Sequence, residues 1–264
     1  MSTHVLRASD LVDYICSYQR GIPEDLIPAL KAWNRSRHMD HVSLLKNLEF
    51  DAQGTRLLEL LWQHRSEIFT PELMDATARV GSLEAIQFFH DKGINCTEAA
   101  MNKAAMWGHL KIVIFLHVNR TEGCTKDAMD WACSSGHEDV LRYLHENRNE
   151  GCTKRAMDWA ASQGHLAIIQ FLHENRNEGC TYRAMDAAAG NGHFDVVLFL
   201  HQNRTEGCIC DAIDRAAKAG HLEIVKFLCE NRSEWFTQNA IVEAQKAGFT
   251  DIVDYLKNAI RKTL

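Results

Sequence analysis

Long hydrophobic runs, proline and an excess of positive charge are all scarce in this chain of 264 residues. No apolar stretch approaches the roughly 18 residues of a membrane helix, and Met1-Ser2-Thr3-His4 does not open the basic-then-apolar layout of a secretory signal. Only three prolines occur, Pro23, Pro28 and Pro71, and no Ser- or Gly-rich linker marks a seam. The formal net charge of -6 argues against a protein that coats nucleic acid or anionic lipid through bulk charge. Catalytic text is missing too: there is no P-loop, no Gly-x-Gly-x-x-Gly opening a helix, no Gly-x-Ser-x-Gly and no His-Glu-x-x-His. These absences lead to the expectation of a non-catalytic intracellular protein, cytoplasmic or nuclear. It is expected to be monomeric, with no cofactor, no bound metal, no nucleic-acid partner and no membrane contact.

What the chain has in abundance is repetition. An apolar share of 46% excludes wholesale disorder. Gly81, Gly108, Gly136, Gly164, Gly192, Gly220 and Gly248 are separated by 27 residues once and by 28 five times. Five of the nine cysteines, Cys96, Cys124, Cys152, Cys180 and Cys208, keep the same 28-residue period. A recurring column within an odd total fits a reducing compartment better than a disulfide framework. Seven units begin near Phe69, Cys96, Cys124, Cys152, Cys180, Cys208 and Phe236. Arg65-Ser66-Glu67-Ile68-Phe69-Thr70 parallels Arg232-Ser233-Glu234-Trp235-Phe236-Thr237, so Gly54 to Gln63 reads as the second helix of an earlier, degenerate unit over 37–68.

Each unit reads as two short helices. Thr125, Thr153, Thr181 and Thr237 stand where an N-cap hydroxyl accepts an orphan backbone N–H. Thr70-Pro71 adds a proline at the first helical position, where its missing N–H costs little. Recurring Ala-Met and Ala-Ala pairs give a small-residue face, and Gly136 and its equivalents stop the helix. The second helix, such as His165 to Glu174, carries Ile168, Ile169, Phe171 and Leu172 as a core-facing stripe. Asn175 and its counterparts are expected to end it in the left-handed conformation. One pair cannot bury such a stripe, so the units must stack on one continuous core. The fold class is all-α, a solenoid of stacked helix-turn-helix repeats.

The repeated text resembles a known family. Gly-His-Leu-Glu-Ile-Val-Lys-Phe-Leu (Gly220 to Leu228) resembles the second helix of an ankyrin repeat. Ala156-Met-Asp-Trp-Ala-Ala161 is similar to that family's Thr-Pro-Leu-His-Leu-Ala-Ala stretch. The first unit keeps Thr70-Pro71 and Asp91-Lys-Gly-Ile-Asn95. The resemblance spans about residues 54 to 258 and implies an ankyrin-type solenoid that acts as a protein-interaction scaffold. The usual unit is ~33 residues with a β-turn finger; 28 residues leave a shortened or absent hairpin, reduced to text such as Asn-Arg-Asn-Glu-Gly. An arginine replaces the family's glycine after the second helix.

Fourteen histidines invite a metal reading. Five follow the repeat glycine (His109, His137, His165, His193, His221) and five end the second helix (His90, His117, His145, His173, His201). Equivalent positions in neighbouring units stand roughly 8–10 Å apart, the helix–helix spacing. Tetrahedral zinc needs closer ligands, and the same distance exceeds the ~7 Å Cα limit of a disulfide between column cysteines. Both columns are therefore expected to be structural ladders. Cys208-x-Cys210 and His38-x-x-His41 have no second half.

The positions that vary are more informative. Within the first helix they lie at offsets 0, 4, 7 and 8, which is one helical face. Offset 0 holds Glu72, Ala99, Asp127, Arg155, Arg183, Asp211 and Asn239; offset 4 holds Ala76, Lys103, Trp131, Trp159, Ala187, Arg215 and Glu243. Offsets 7 and 8 include Met106-Trp107, Ser134-Ser135 and Gly190-Asn191. Positions freed from packing drift, so this face is expected to be exposed, and the family resemblance implies that it lines a concave binding surface. Trp107, Met106, Lys103, Trp131, Arg155, Trp159, Arg183 and Arg215 are the candidate partner-binding residues, because aromatic and arginine side chains dominate interface hot spots. Trp131 and Trp159 carry a second reading, in which they sit half buried between repeats.

Two further columns are expected to hold the stack together. Asp75, Asp130, Asp158, Asp186 and Asp214 should bond to the backbone of a neighbouring loop. Arg120, Arg148, Arg176, Arg204 and Arg232 are each followed two residues later by a glutamate, a charge ladder worth little per pair that sets register. Residues 1–36 stand outside the repeat and read as a helical cap over the open end of the array. The same segment, from Asp10-Leu-Val-Asp-Tyr-Ile-Cys-Ser-Tyr through Glu24-Asp25-Leu26 to Lys31-Ala-Trp33, also resembles an F-box, which implies a substrate adaptor of a ubiquitin ligase. The division is then a cap at 1–36, a degenerate repeat at 37–68, and seven repeats over 69–264 including a C-terminal cap.

Overall fold

A threonine with extended backbone starts most of the first helices. Thr70, Thr125, Thr153, Thr181 and Thr237 each accept, through the side chain, the N–H of a residue two or three positions on. This satisfies one of the orphan donors of a helix N-terminus. The computed structural model describes residues 69–232 and 236–263, together with 58–59, 62–63 and 66. The expected cap or F-box at 1–36 and most of the degenerate repeat at 37–68 lie outside the described residues.

Fourteen helices follow in seven pairs: α1 (Pro71–Val80) and α2 (Leu83–Asp91), α3 (Glu98–Met106) and α4 (Leu110–Asn119), α5 (Lys126–Ser135) and α6 (Glu138–Asn147), α7 (Lys154–Gln163) and α8 (Leu166–Asn175), α9 (Tyr182–Asn191) and α10 (Phe194–Asn203), α11 (Cys210–Ala219) and α12 (Leu222–Asn231), α13 (Gln238–Ala247) and α14 (Thr250–Thr263). No strand occurs among the described residues, so the connection between pairs is a short loop with no hairpin finger. This is an all-α array of helical repeats. The helices group into two compact units. One takes the described residues up to Ala104 with Lys111–Gly123, and the other takes Ala105–Leu110 with Cys124 onward.

In the second unit the first helices α5, α7, α9, α11 and α13 pack successively on one another. Alanine makes that approach possible: Ala132, Ala160, Ala188 and Ala216 are fully buried in the seam. The second helices supply the larger apolar groups, with Val140, Leu141, Ile168, Ile169, Val196, Val197, Ile224 and Val225 buried. Gly136, Gly164, Gly192, Gly220 and Gly248 close the first helices at φ between 78 and 86°, as expected.

The second helices end differently from expectation. Among the described residues no non-glycine has positive φ, so Asn147, Asn175, Asn203 and Asn231 are not left-handed. Each asparagine closes the last turn by donating its side-chain amide to the carbonyl four residues earlier, at 2.9 Å. The following arginine is extended, near φ -130 and ψ 150, and turns the chain out of the helix. The left-handed turn comes three residues later, at Gly151, Gly179 and Gly207.

Candidate functional site

Two hydrogen-bonded ladders fix one repeat against the next. Asp158 accepts the Thr181 N–H at 2.7 Å and the Thr181 hydroxyl at 2.8 Å, so the carboxylate of one repeat holds the N-cap of its successor. Asp130 does the same for Thr153, Asp75 for Thr97 and Asp214 for Thr237, while Asp186 accepts the Ile209 N–H at 3.0 Å. Burial pushes the Asp130 carboxyl above its ordinary range, against the pull of its bonds to Thr153.

The arginine ladder runs on the other side of the loop. Arg176 pairs with Glu178, and Arg204 with Glu206 at 2.5 Å. The glutamate also reaches back: Glu206 accepts the Cys180 N–H and Glu122 accepts the Cys96 N–H, each at 3.3 Å. A Cβ on Gly179 would lie 2.5 Å from the Arg204 guanidinium, so the arginine rests on the glycine of the preceding loop. The Arg176 guanidinium holds the Glu178 carboxyl down at about 2. Burial works against ionisation of Glu122 and Glu206, but their arginine bonds and the backbone N–H bonds they accept together outweigh it, and both also fall to about 2.

Both histidine columns are packing elements. The His137, His165, His193 and His221 rings cover the turn glycine of the preceding repeat, where an added Cβ would sit 2.6–2.8 Å from ring atoms. His145, His173 and His201 meet Phe171, Phe199 and Phe227 of the next repeat edge to face, with centroids 5.2–5.6 Å apart. Among the described residues no group of three His, Cys, Asp or Glu side chains is placed to hold a metal ion. None of the eight described cysteines is in a disulfide, and burial pushes the thiols of Cys96, Cys152 and Cys180 up to about 12.

With those columns assigned to packing, the varying face remains. None of its residues at offsets 0, 4, 7 and 8 is buried. In the second unit this face opens into a cleft of about 790 Å³ lined by Arg155, Asp158, Trp159, Ser162, Tyr182, Arg183, Asp186, Ala187, Ile209, Asp211 and Arg215. Three successive first helices, α7, α9 and α11, build it, with one varying arginine from each. The Arg155 guanidinium lies 5.8 Å from the Trp159 ring centroid, and Arg215 pairs with Asp211 at 2.7 Å. Gly190 leaves room for the stem of Arg215: a Cβ there would stand 3.0 Å from the Arg215 Cβ.

Four of the eight candidate residues therefore meet in one place: Arg155, Trp159, Arg183 and Arg215. Trp159 and Trp131 are half buried, and Trp131 does not line the cleft. Trp107 is 48% exposed and Met106 39%, also outside the cleft lining. Lys103 is half buried and belongs to the first unit. Tyr182 and Ile209 were not anticipated. Both depart from the repeat, since Tyr182 stands where Lys126 and Lys154 recur and Ile209 where threonine caps the neighbouring helices.

Comparison with known families agrees with this architecture. The family model for ankyrin repeats (many copies) matches residues 129–173, 157–201 and 183–229, three consecutive overlapping copies that include the whole cleft. An ankyrin-repeat array occupies 129–229, and ankyrin repeats are in general protein–protein interaction modules. No match to the chain was found among curated proteins.

Proposed function

We propose that the chain is a non-catalytic interaction scaffold that holds a partner protein in the cleft formed by α7, α9 and α11. One observation carries the reading: varying positions from three successive repeats line one open cleft, which holds three arginines, a tryptophan and, from a helix start, a tyrosine. Arginine, tryptophan and tyrosine are the side chains most often responsible for interface affinity. Their neighbours in the repeat are held rigid by the aspartate and arginine ladders, so little ordering cost is added on docking. The partner is a protein and not a nucleic acid, membrane or cofactor. The chain acts as a monomer in the cytoplasm or nucleus.

The test is affinity capture on the whole 264-residue chain, comparing wild type with Arg155→Glu/Trp159→Ala and, separately, with Trp107→Ala. A partner retained by wild type and Trp107→Ala but lost with the cleft variant is the expected result. Recovery of the same proteins by wild type and a folded cleft variant sinks the assignment.

A further inference from the structure

We propose that the segment held in this cleft presents carboxylate side chains around an aliphatic or aromatic anchor; this rests on the docking reading above and specifies the chemistry of the occupant. The argument starts from which groups have bonding capacity left at the open surface. Asp158 has both oxygens engaged by Thr181, Asp186 accepts from Ile209, and Asp211 is paired with Arg215. Asp158 and Asp186 are also buried, whereas Arg155 and Arg183 are exposed. The cleft therefore offers guanidinium donors outward and keeps its carboxylates engaged. Guanidinium forks match carboxylates bidentately, with shorter and stronger bonds than neutral acceptors give.

A second, independent observation is Ile209. At every other first-helix N-cap of the second unit a threonine caps the helix; Ile209 makes no such bond. It leaves an aliphatic side chain 41% exposed at the wall of the cleft that Tyr182 also lines. A position that forgoes a cap and exposes isoleucine is accounted for by an apolar group of the partner resting on it.

The same lining disfavours polyphosphate. Three arginines against three aspartates leave the lining with no formal net charge. Nucleic acid, which is held through summed phosphate charge, gains no net attraction here, while discrete carboxylates gain directional bonds.

The experiment is selection of a random 12-residue peptide display library on the immobilised 264-residue chain, followed by fluorescence anisotropy of the selected peptides. The proteins measured are wild type, Arg155→Gln/Arg183→Gln, Arg155→Glu/Arg183→Glu and Trp159→Ala/Ile209→Ala, with circular-dichroism melts confirming that each is folded. Neither arginine side chain holds the fold in a hydrogen-bond ladder, so both arginine variants are suitable. The expected peptides are rich in Asp and Glu flanking one apolar residue. The Gln variant should weaken them about tenfold, the Glu variant more, and selection on the Glu variant should return Lys and Arg instead. Neutral or basic peptides that still depend on Trp159 and Ile209 would overturn the carboxylate assignment and leave cleft docking standing. Peptides indifferent to every cleft substitution, or a library yielding no cleft-dependent binder, overturn both. A labelled 20-nucleotide oligothymidylate that binds and displaces the peptides overturns the choice of a protein segment.

Discussion

Asp158 shows how much one side chain settles in this array. Its two oxygens take the Thr181 N–H and hydroxyl, and the Thr181 oxygen in turn accepts the Arg183 N–H at 3.2 Å. A single carboxylate thus fixes where α9 starts and, with it, where the Arg183 side chain leaves the helix. Asp158→Ala leaves the Thr181 N–H without its partner, a loss of about 1–3 kcal/mol. Asp158→Asn keeps one acceptor and should lose less, as Asn102 already occupies this column in the second repeat. Urea unfolding of the two variants measures the difference. Equal losses would mean that the acceptor retained by asparagine contributes nothing and that the whole effect lies in the replaced oxygen. Gly164 is a comparable case. It sits at φ 78°, and a Cβ would stand 2.6 Å from the His193 Nδ1. Gly164→Ala is expected to cost about 1–2 kcal/mol for the left-handed backbone alone, plus whatever moving the ring requires. Adding His193→Ala should recover the ring's share and not the backbone's, which a double-mutant cycle in thermal melts separates.

The loops and helix ends carry the next level of consequence. In the described Arg-Glu loops Glu122, Glu150, Glu178 and Glu206 are held ionised by their arginines, and Glu122 and Glu206 also accept the preceding repeat's cysteine N–H. The Glu178 carboxyl lies at about 2 against an ordinary 4.5, so the folded state binds fewer protons there than the unfolded chain. The stability it contributes is fully present above pH 4.5 and fades as pH falls from 4.5 towards 2. An acid titration followed by circular dichroism should show that loss, and Glu178→Gln should make the curve shallower over that window while lowering stability at pH 7. An unchanged profile would assign the acid sensitivity to other carboxylates. The α11 N-terminus makes the opposite prediction. Ile209→Thr supplies the missing cap and should raise stability by about 0.5–2 kcal/mol. It also removes the exposed aliphatic group, so affinity for a cleft-binding peptide should fall, by roughly fivefold if about 1 kcal/mol of apolar contact is lost. A variant both more stable and equally tight in binding would show that Ile209 is not an anchor.

Across the molecule, the period of the text carried most of the architecture and only part of the site. Threonine caps, glycine stops, alanine seams and the aspartate bridges follow from residue type at a fixed spacing, because each acts on its own or the adjacent repeat. The asparagine helix ends did not follow, since the amide bonds back to its own helix and leaves the left-handed turn to the loop glycine. The cleft was half visible. Its arginines and Trp159 sit on the varying face, but Tyr182 and Ile209 stand at helix starts that the face count omits. Which members of a long varying face converge is decided by the local stacking of three particular repeats, and Trp131, Met106 and Trp107 fall outside it. The same stacking makes the buried thiol column a position-by-position reporter of how the second unit opens. Cys152 and Cys180 are free, buried and held near 12, so iodoacetamide at pH 8 should leave both unmodified in the native protein. In rising urea each becomes reactive only when its own repeat separates from the next. If nearest-neighbour coupling dominates, pulsed alkylation read by mass spectrometry will give the two thiols one shared midpoint, and Asp158→Ala, which cuts the bridge between their repeats, will split it. Separate midpoints in the wild type would mean instead that the repeats of the cleft open singly, and that Arg155, Arg183 and Arg215 are not held in fixed register before a partner arrives.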